Sequence, residues 1–294
     1  MRPDTPTFCL GLSFPAIMGV VNVTPDSFSD GGRFLAADVA LEQALTLARE
    51  GASVIDIGGE STRPGSETVP LDTELQRVLP VVEALAARVG VPISVDTMKA
   101  EVARRTLAAG ATMVNDVSAL RFDEEMVDVV AESGCPVCLM HMKGQPKTMQ
   151  DDPRYDDVVA EVTGFLVERV AAARAAGVPE VWIDPGIGFG KTIDHNLALL
   201  AHLDRLVATG LPVLVGTSRK RFLGDLLARA DGQIGAADGP GPVPVDDRLE
   251  GSLATVVWAA RAGVTMVRVH DVAATVAALG RVDADDPRSP AAPG

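Results

Sequence analysis

Eight times along the chain a short apolar run closes on a polar residue and is followed by a stretch with helical spacing. The runs end at Asn22, Asp56, Asp96, Asn115, His141, Asp184, the segment Gly216-Thr217-Ser218-Arg219-Lys220, and Arg268-Val269-His270. A strand of a parallel sheet is buried on both faces, so it reads as an unbroken apolar run. A polar residue placed only at its end must then point into a pocket at one end of the sheet. The expected strands are 16–21, 53–57, 92–95, 112–114, 136–140, 181–183, 211–215 and 264–267. Between them, Leu75, Val78, Val82 and Leu85 recur at helical spacing within a helix expected over 71–88. Val39, Ala40, Ala44, Leu45 and Ala48 do the same after the first strand. Further helices are expected near 99–108, 123–132, 155–175, 248–262 and 272–280.

Eight uninterrupted βα units predict one α/β architecture, a single (β/α)8 TIM barrel over 15–280, with catalytic groups at the C-terminal strand ends. A doubly wound open sheet usually has fewer strands and one dominant Gly-rich turn, whereas here polar strand ends are spread over every unit. Residues 1–14 form a leader, expected as a hairpin over the barrel floor. The Pro- and Asp-rich tail, 281–294, is expected to lack fixed structure. The stretch 230–246, centred on Gly239-Pro240-Gly241-Pro242, cannot hold a helix and is expected as an exposed loop.

Composition narrows the partners. The chain has 294 residues, is 47% hydrophobic and carries a formal charge of -14, so no basic footprint for nucleic acid or an anionic membrane is expected. No apolar stretch is long enough to span a bilayer, and Met1-Arg2-Pro3-Asp4 lacks the apolar core of a signal peptide. A cytoplasmic location is expected. Three cysteines make no disulfide framework. Cys135 and Cys138, three apart in a strand, face opposite sides and are expected to pack rather than react.

Strand parity sharpens the candidate chemistry. Arg268 and His270 share a face with Met266, Asp96 stands over Ser94, Asp184 over Trp182, and Asn22 over Val20. If those faces point inward, the two carboxylates can receive N–H groups of a ring or stabilise positive charge developing on it. Asp56 and Asp271 can equally be helix caps. Gly216 to Arg221 combines small residues, hydroxyls and the cations Arg219, Lys220 and Arg221 at the start of a helix, a place where barrels hold anions. The loops 23–32 and 58–65 mix glycine hinges with hydroxyls and charges, a composition suited to lids. Asp184-Pro185-Gly186-Ile187-Gly188-Phe189-Gly190-Lys191 lacks Walker spacing, and there is no dinucleotide fingerprint.

Two longer motifs carry a resemblance. Met18-Gly19-Val20-Val21-Asn22-Val23-Thr24-Pro25-Asp26-Ser27-Phe28-Ser29-Asp30-Gly31-Gly32 and Gly58-Gly59-Glu60-Ser61-Thr62-Arg63-Pro64-Gly65 resemble the two signatures of the bacterial dihydropteroate synthases, which are pterin-binding enzymes. Ser94-Val95-Asp96-Thr97, Val114-Asn115-Asp116-Val117, Leu139-Met140-His141-Met142, the 184–191 run, Ser218-Arg219-Lys220 and Arg268-Val269-His270-Asp271 follow in that family's order. The resemblance implies a folate-pathway transferase that joins p-aminobenzoate to 6-hydroxymethyl-7,8-dihydropterin diphosphate. It places Asp96, Asn115, Asp184 and Lys220 on the pterin, with Met140, Phe189 and Gly216 lining the ring. It places Asn22, Arg63, Arg268 and His270 on the diphosphate, with Asn22 also a ligand of Mg2+. Phe28, Thr62, Arg63, Pro64, Ser218 and Lys220 are implied for p-aminobenzoate, where sulfonamides compete. Asp96, Lys220, Arg268 and His270 are the implied catalytic set, and a homodimer through the C-terminal helices is implied too. The 230–246 stretch is longer than that family's pattern and the last helix shorter, which bears on the dimer. The alternatives are a pterin-dependent methyltransferase acting on a corrinoid protein, which has no need of Thr62-Arg63-Pro64, and a non-catalytic pterin-binding paralogue. The paralogue predicts erosion at Asn22, Asp96, Lys220 or Arg268, and all four are present.

Overall fold

The eight apolar runs are parallel strands of one sheet: β1 (Ala16–Asn22), β2 (Val54–Gly58), β3 (Ile93–Asp96), β4 (Met113–Asp116), β5 (Val137–Met140), β6 (Val181–Asp184), β7 (Leu214–Gly216) and β8 (Met266–Val269). Their order is β6-β5-β4-β3-β2-β1-β8-β7, and a single bridge between Ile183 and Val213 brings the two ends together. The result is a nearly closed (β/α)8 barrel. The computed structural model describes residues 15–23, 33–62, 65–230 and 243–284. The expected leader hairpin, most of the loop 23–32, Arg63 and Pro64, the centre of the 230–246 stretch and the end of the tail lie outside the described residues.

Ten helices are described: α1 (Arg33–Arg49), α2 (Leu71–Ala86), α3 (Ala100–Ala108), α4 (Met126–Ser133), α5 (Val158–Ala175), α6 (Ile193–Ala201), α7 (Leu203–Val207), α8 (Arg221–Ala230), α9 (Leu249–Arg261) and α10 (Val272–Ala284). The helix expected from 155 begins at Val158 because the Asp157 carboxylate caps it, accepting from Val159 N and Ala160 N at 3.0 Å each. Three expectations are corrected. Two helices, not one, separate β6 from β7; α10 runs four residues past 280; and β7 begins at Leu214 rather than 211.

Period two divides each strand between two cores. Ile17, Val21, Ile55, Ile57, Val95, Val114, Leu139, Ile183 and Val267 face outward against the helices. Ala16, Met18, Val54, Met113, Cys138, Trp182, Leu214 and Met266 face inward and form a separate plug. Cys135 lies in the outer core and Cys138 in the plug, both free and buried, as their spacing predicts. Two residues further along, about 6.6 Å at the usual rise, the inward position is polar on β2, β3, β4, β6 and β8, at Asp56, Asp96, Asn115, Asp184 and Arg268. The register sets Gly58 beside Asp96, Asp96 beside Asn115, Met140 beside Asp184, and Gly216 beside Arg268.

Candidate active site

Arg268 occupies the middle of that polar layer. Its Nε donates to Asp56 Oδ2 at 2.7 Å and an Nη donates to Asp96 Oδ2 at 2.9 Å. Asn115 Nδ2 donates to the same Asp56 oxygen at 3.2 Å. Asp56 is fully buried, and its Oδ1 has no hydrogen-bond partner among the described residues. It is therefore not a helix cap but the hinge between Asn115 and Arg268, and it belongs in the site from which the sequence reading left it out. Burial raises the Asp96 pKa to about 7, the nearby Asp56 adds to the rise, and Arg268 opposes it. Burial disfavours the Arg268 charge, but Asp56 and Asp96 more than offset that, so its pKa lies above the ordinary value.

The pterin-side residues converge as expected. Asp184 Oδ1 accepts from Gly186 N at 2.7 Å. Desolvation raises the Asp184 pKa against the pull of Lys220. Lys220 donates to Ile187 O, and its Nζ stands 4.7 Å from the centre of the Phe189 ring. Burial lowers its pKa to about 8, with Asp184 resisting. Met140 packs with Met98, Val117, Met142 and Met149, and Phe189 lies against them. That shelf is apolar and deformable, suited to the face of a flat ring. Gly216 leaves room beside Arg268, whose Cβ would be 3.5 Å from a Cβ at that position.

The three-cation segment divides, which corrects the anion-site reading of it as a unit. Arg219 adopts φ 60°, with its N–H donating to Ser252 Oγ at 3.0 Å and its carbonyl accepting from Arg248 at 3.0 Å. That turn sends its guanidinium to Asp271, with Nε to Oδ2 at 3.0 Å. Arg221 is 77% exposed beside Asp225. Lys220 alone of the three enters the mouth. Ser218 Oγ accepts from His270 N at 3.1 Å and lies 3.1 Å from His270 Nδ1, so the p-aminobenzoate and diphosphate candidates meet there. Asn22 and Thr62 are half-buried. A Cβ at Gly58 would lie 3.8 Å from Asn22 Oδ1. Phe28, Arg63 and Pro64 are outside the described residues.

His141 ends its run but leaves the mouth. Met140 points inward, so the next side chain points outward, and the ring sits beside Lys191. A second buried cluster supports the root of the 58–65 loop. Lys99 bridges Glu60 and the fully buried Glu74, and Thr97 Oγ1 donates to Glu74 Oε1 at 2.7 Å. Desolvation raises the Glu74 pKa against Lys99. Neither Glu74 nor Lys99 ends a strand, and no signal in the sequence singles them out.

A barrel mouth with two carboxylates on one side, cations beside them and an apolar shelf defines an enzyme site for a nitrogenous ring carrying an anionic group. The chain belongs to the pterin binding enzyme family, whose model matches residues 18–270. It is 48% identical over 277 residues to the dihydropteroate synthase of Escherichia coli K12, covering 94% of this chain and 93% of that one. Xanthomonas albilineans dihydropteroate synthase, solved with 4-aminobenzoic acid, is 50% identical with a TM-score of 0.84, covering 95% of this chain and 94% of that chain. The same organism's enzyme in complex with 7,8-dihydropteroate is 47% identical with a TM-score of 0.80, covering 95% of both chains. A Yersinia pestis dihydropteroate synthase with a sulfonamide drug is 47% identical with a TM-score of 0.83, covering 92% and 94%.

Proposed function

We propose that this chain is a transferase that condenses p-aminobenzoate with 6-hydroxymethyl-7,8-dihydropterin diphosphate, giving 7,8-dihydropteroate and diphosphate. The observation that carries the reading is the Asp56–Arg268–Asp96 network, a cation held between carboxylates at a mouth that also presents Asn115, Asp184 and Lys220. Loss of diphosphate from the pterin methylene leaves positive charge conjugated to the ring. Asp96 and Asp184 lower the energy of that charge, while Arg268 and His270 receive the departing anion. Asn115 and Asp184 orient the ring by its N–H edge, and Met140 and Phe189 exclude water from its face. The aryl amine then attacks the methylene carbon, losing its proton as the C–N bond forms. It is nucleophilic at neutral pH, so no Ser–His or Cys–His pair is required.

Mg2+ is part of the same proposal. Asn22 offers one hard oxygen, and among the described residues no group of three His, Cys, Asp or Glu side chains could hold a metal alone. That donor set fits Mg2+ whose remaining shell comes from phosphate oxygens. Bound there, it would neutralise charge on the leaving group. Competition by sulfonamides at Thr62, Ser218 and Lys220, a homodimer through α9 and α10, and a cytoplasmic location complete the reading. The half-exposed Trp258 on α9 supports the interface. No described helix is long and apolar enough to cross a membrane.

Sustained, multiple-turnover diphosphate release, measured by a coupled assay, is expected only when p-aminobenzoate and Mg2+ are both present. Absence of p-aminobenzoate-dependent turnover would overturn the reading. The pH profile follows from the free-enzyme groups. Asp96 must be ionised, which needs a pH above about 7, and Lys220 must keep its proton, which needs a pH below about 8. kcat/KM for the pterin substrate is therefore expected to peak in that narrow window and fall on both sides. Lys220→Arg should extend the alkaline limb, and an unchanged limb would remove Lys220 from the assignment.

A further inference from the structure

The loop between β6 and α6 ends in Lys191, a lysine that none of the roles above uses. Lys191 is only 3% exposed. Its Nζ donates to Gly186 O at 2.9 Å and to Phe189 O at 3.0 Å, and it lies 3.3 Å from His141 O and 2.9 Å from His141 Nδ1. One amino group thus faces three carbonyls and a ring nitrogen drawn from two strand ends; burial pushes its pKa well below the ordinary lysine value, and Asp184 opposes the fall. Burial pushes the His141 pKa down to about 3, and Lys191 adds to the fall, so the imidazole is neutral. A neutral ring that accepts at Nδ1 carries its proton on Nε2.

The loop cannot stand off from β5. Gly186 at φ 65° and Gly190 at φ 62° press against the backbone of His141 and Lys143, and a Cβ at either would collide with a carbonyl oxygen. This close approach turns the Gly186 and Phe189 carbonyls into the protein, where an unpaired acceptor costs on the order of 1–3 kcal/mol. The same loop holds out three groups to the mouth: Gly186 N to Asp184, Ile187 O to Lys220, and the Phe189 ring beneath the Lys220 ammonium. Of the p-aminobenzoate candidates that set touches Lys220, but not Ser218 or Thr62.

We infer that Lys191 is a positioning residue for the pterin subsite: its Nζ ties the β6–α6 loop to the end of β5 and so fixes Phe189 and, through Ile187, Lys220. This deepens the transferase reading and rests on it for its kinetic test. Lys191→Met keeps the aliphatic stem and removes the donors. It is expected to raise KM for the pterin diphosphate by about tenfold or more and KM for p-aminobenzoate, whose candidate pocket shares only Lys220 with this loop, by a clearly smaller factor. Lys191→Ala should recover pterin KM with added ethylammonium, which fits the vacated path and donates, but not with tetramethylammonium at equal ionic strength. Packing loss alone would not respond to a primary ammonium in this way. Equal changes in both KM values, or equal response to the two salts, would overturn the inference.

A measurement on the wild-type protein decides the matter even where a variant fails to fold. With only four histidines, nitrogen-15 spectra resolve His141, and its ring is expected to hold a single proton, on Nε2, from about pH 5 to about pH 8. A proton on Nδ1 would break the Lys191 hub and the inference with it. Wild-type turnover tests the transferase reading separately, so the two failures are distinguishable.

Discussion

Asp96→Ala is expected to lower turnover by about a hundredfold or more, the usual cost of deleting a preorganised electrostatic group at the place where charge develops. The side chain is nearly buried, at 9% exposure, and in a site of low polarity a charge acts over a short distance with little screening. Arg268 would keep Asp56 as its second partner, so the fold should survive and the loss should fall on kcat rather than on protein yield. Asp96→Asn is the sharper companion, because it keeps hydrogen bonding and shape and loses only the charge. Steady-state rates for both, with thermal melts as a control, decide the role. Wild-type-like turnover in either variant would refute stabilisation of the cation by Asp96.

Arg268→Met is expected to damage stability as well as rate. It leaves two carboxylates, Asp56 and Asp96, buried side by side without their shared cation. Breaking a buried pair from one side typically costs about 3–5 kcal/mol. The folded-state pKa of Asp96, already raised to about 7 by burial, loses the opposing pull of Arg268 and rises further, so protonation favours the folded variant. The deficit relative to wild type should therefore be smaller in acid and grow as pH rises through about 7 into the alkaline range. Urea unfolding in mildly acid and mildly alkaline buffer measures this, and a pH-independent deficit would contradict the pairing. Adding Asp56→Asn to Arg268→Met should restore part of the stability and none of the activity.

The strands were legible because burial on both faces of a parallel sheet leaves continuous apolar runs, and the inward pointing of Asp96, Asp184 and Arg268 followed from counting by twos. Asp56 was missed for a physical reason: a carboxylate at a strand end looks alike whether it caps a helix or meets a cation 212 positions away. The same parity that admits Met140 excludes His141, so the departure of His141 from the mouth is legible in the sequence. Arg219 could not have been separated from Lys220 in the sequence, since its direction depends on a positive φ and on Arg248 and Ser252, at the N-terminal cap and first turn of α9. The second helix after β6 was hidden because α6 and α7 share one apolar pattern across His202. Asp184-Pro185-Gly186-Ile187-Gly188-Phe189-Gly190-Lys191 looked like a failed phosphate loop, but Gly186 and Gly190 serve close contact with the backbone of His141 and Lys143, just past β5.

The alternation of plug and mouth on single strands also governs how such a chain can change over time. Asp96 and Ser94, or Arg268 and Met266, are separated by one pleat, so inserting or deleting one residue within a strand would rotate every later side chain to the opposite face. Carboxylates would meet the outer helices, and aliphatic groups would fill the mouth. Variation in length is thereby confined to the connections between strands and helices, while the strands admit only replacement, position by position.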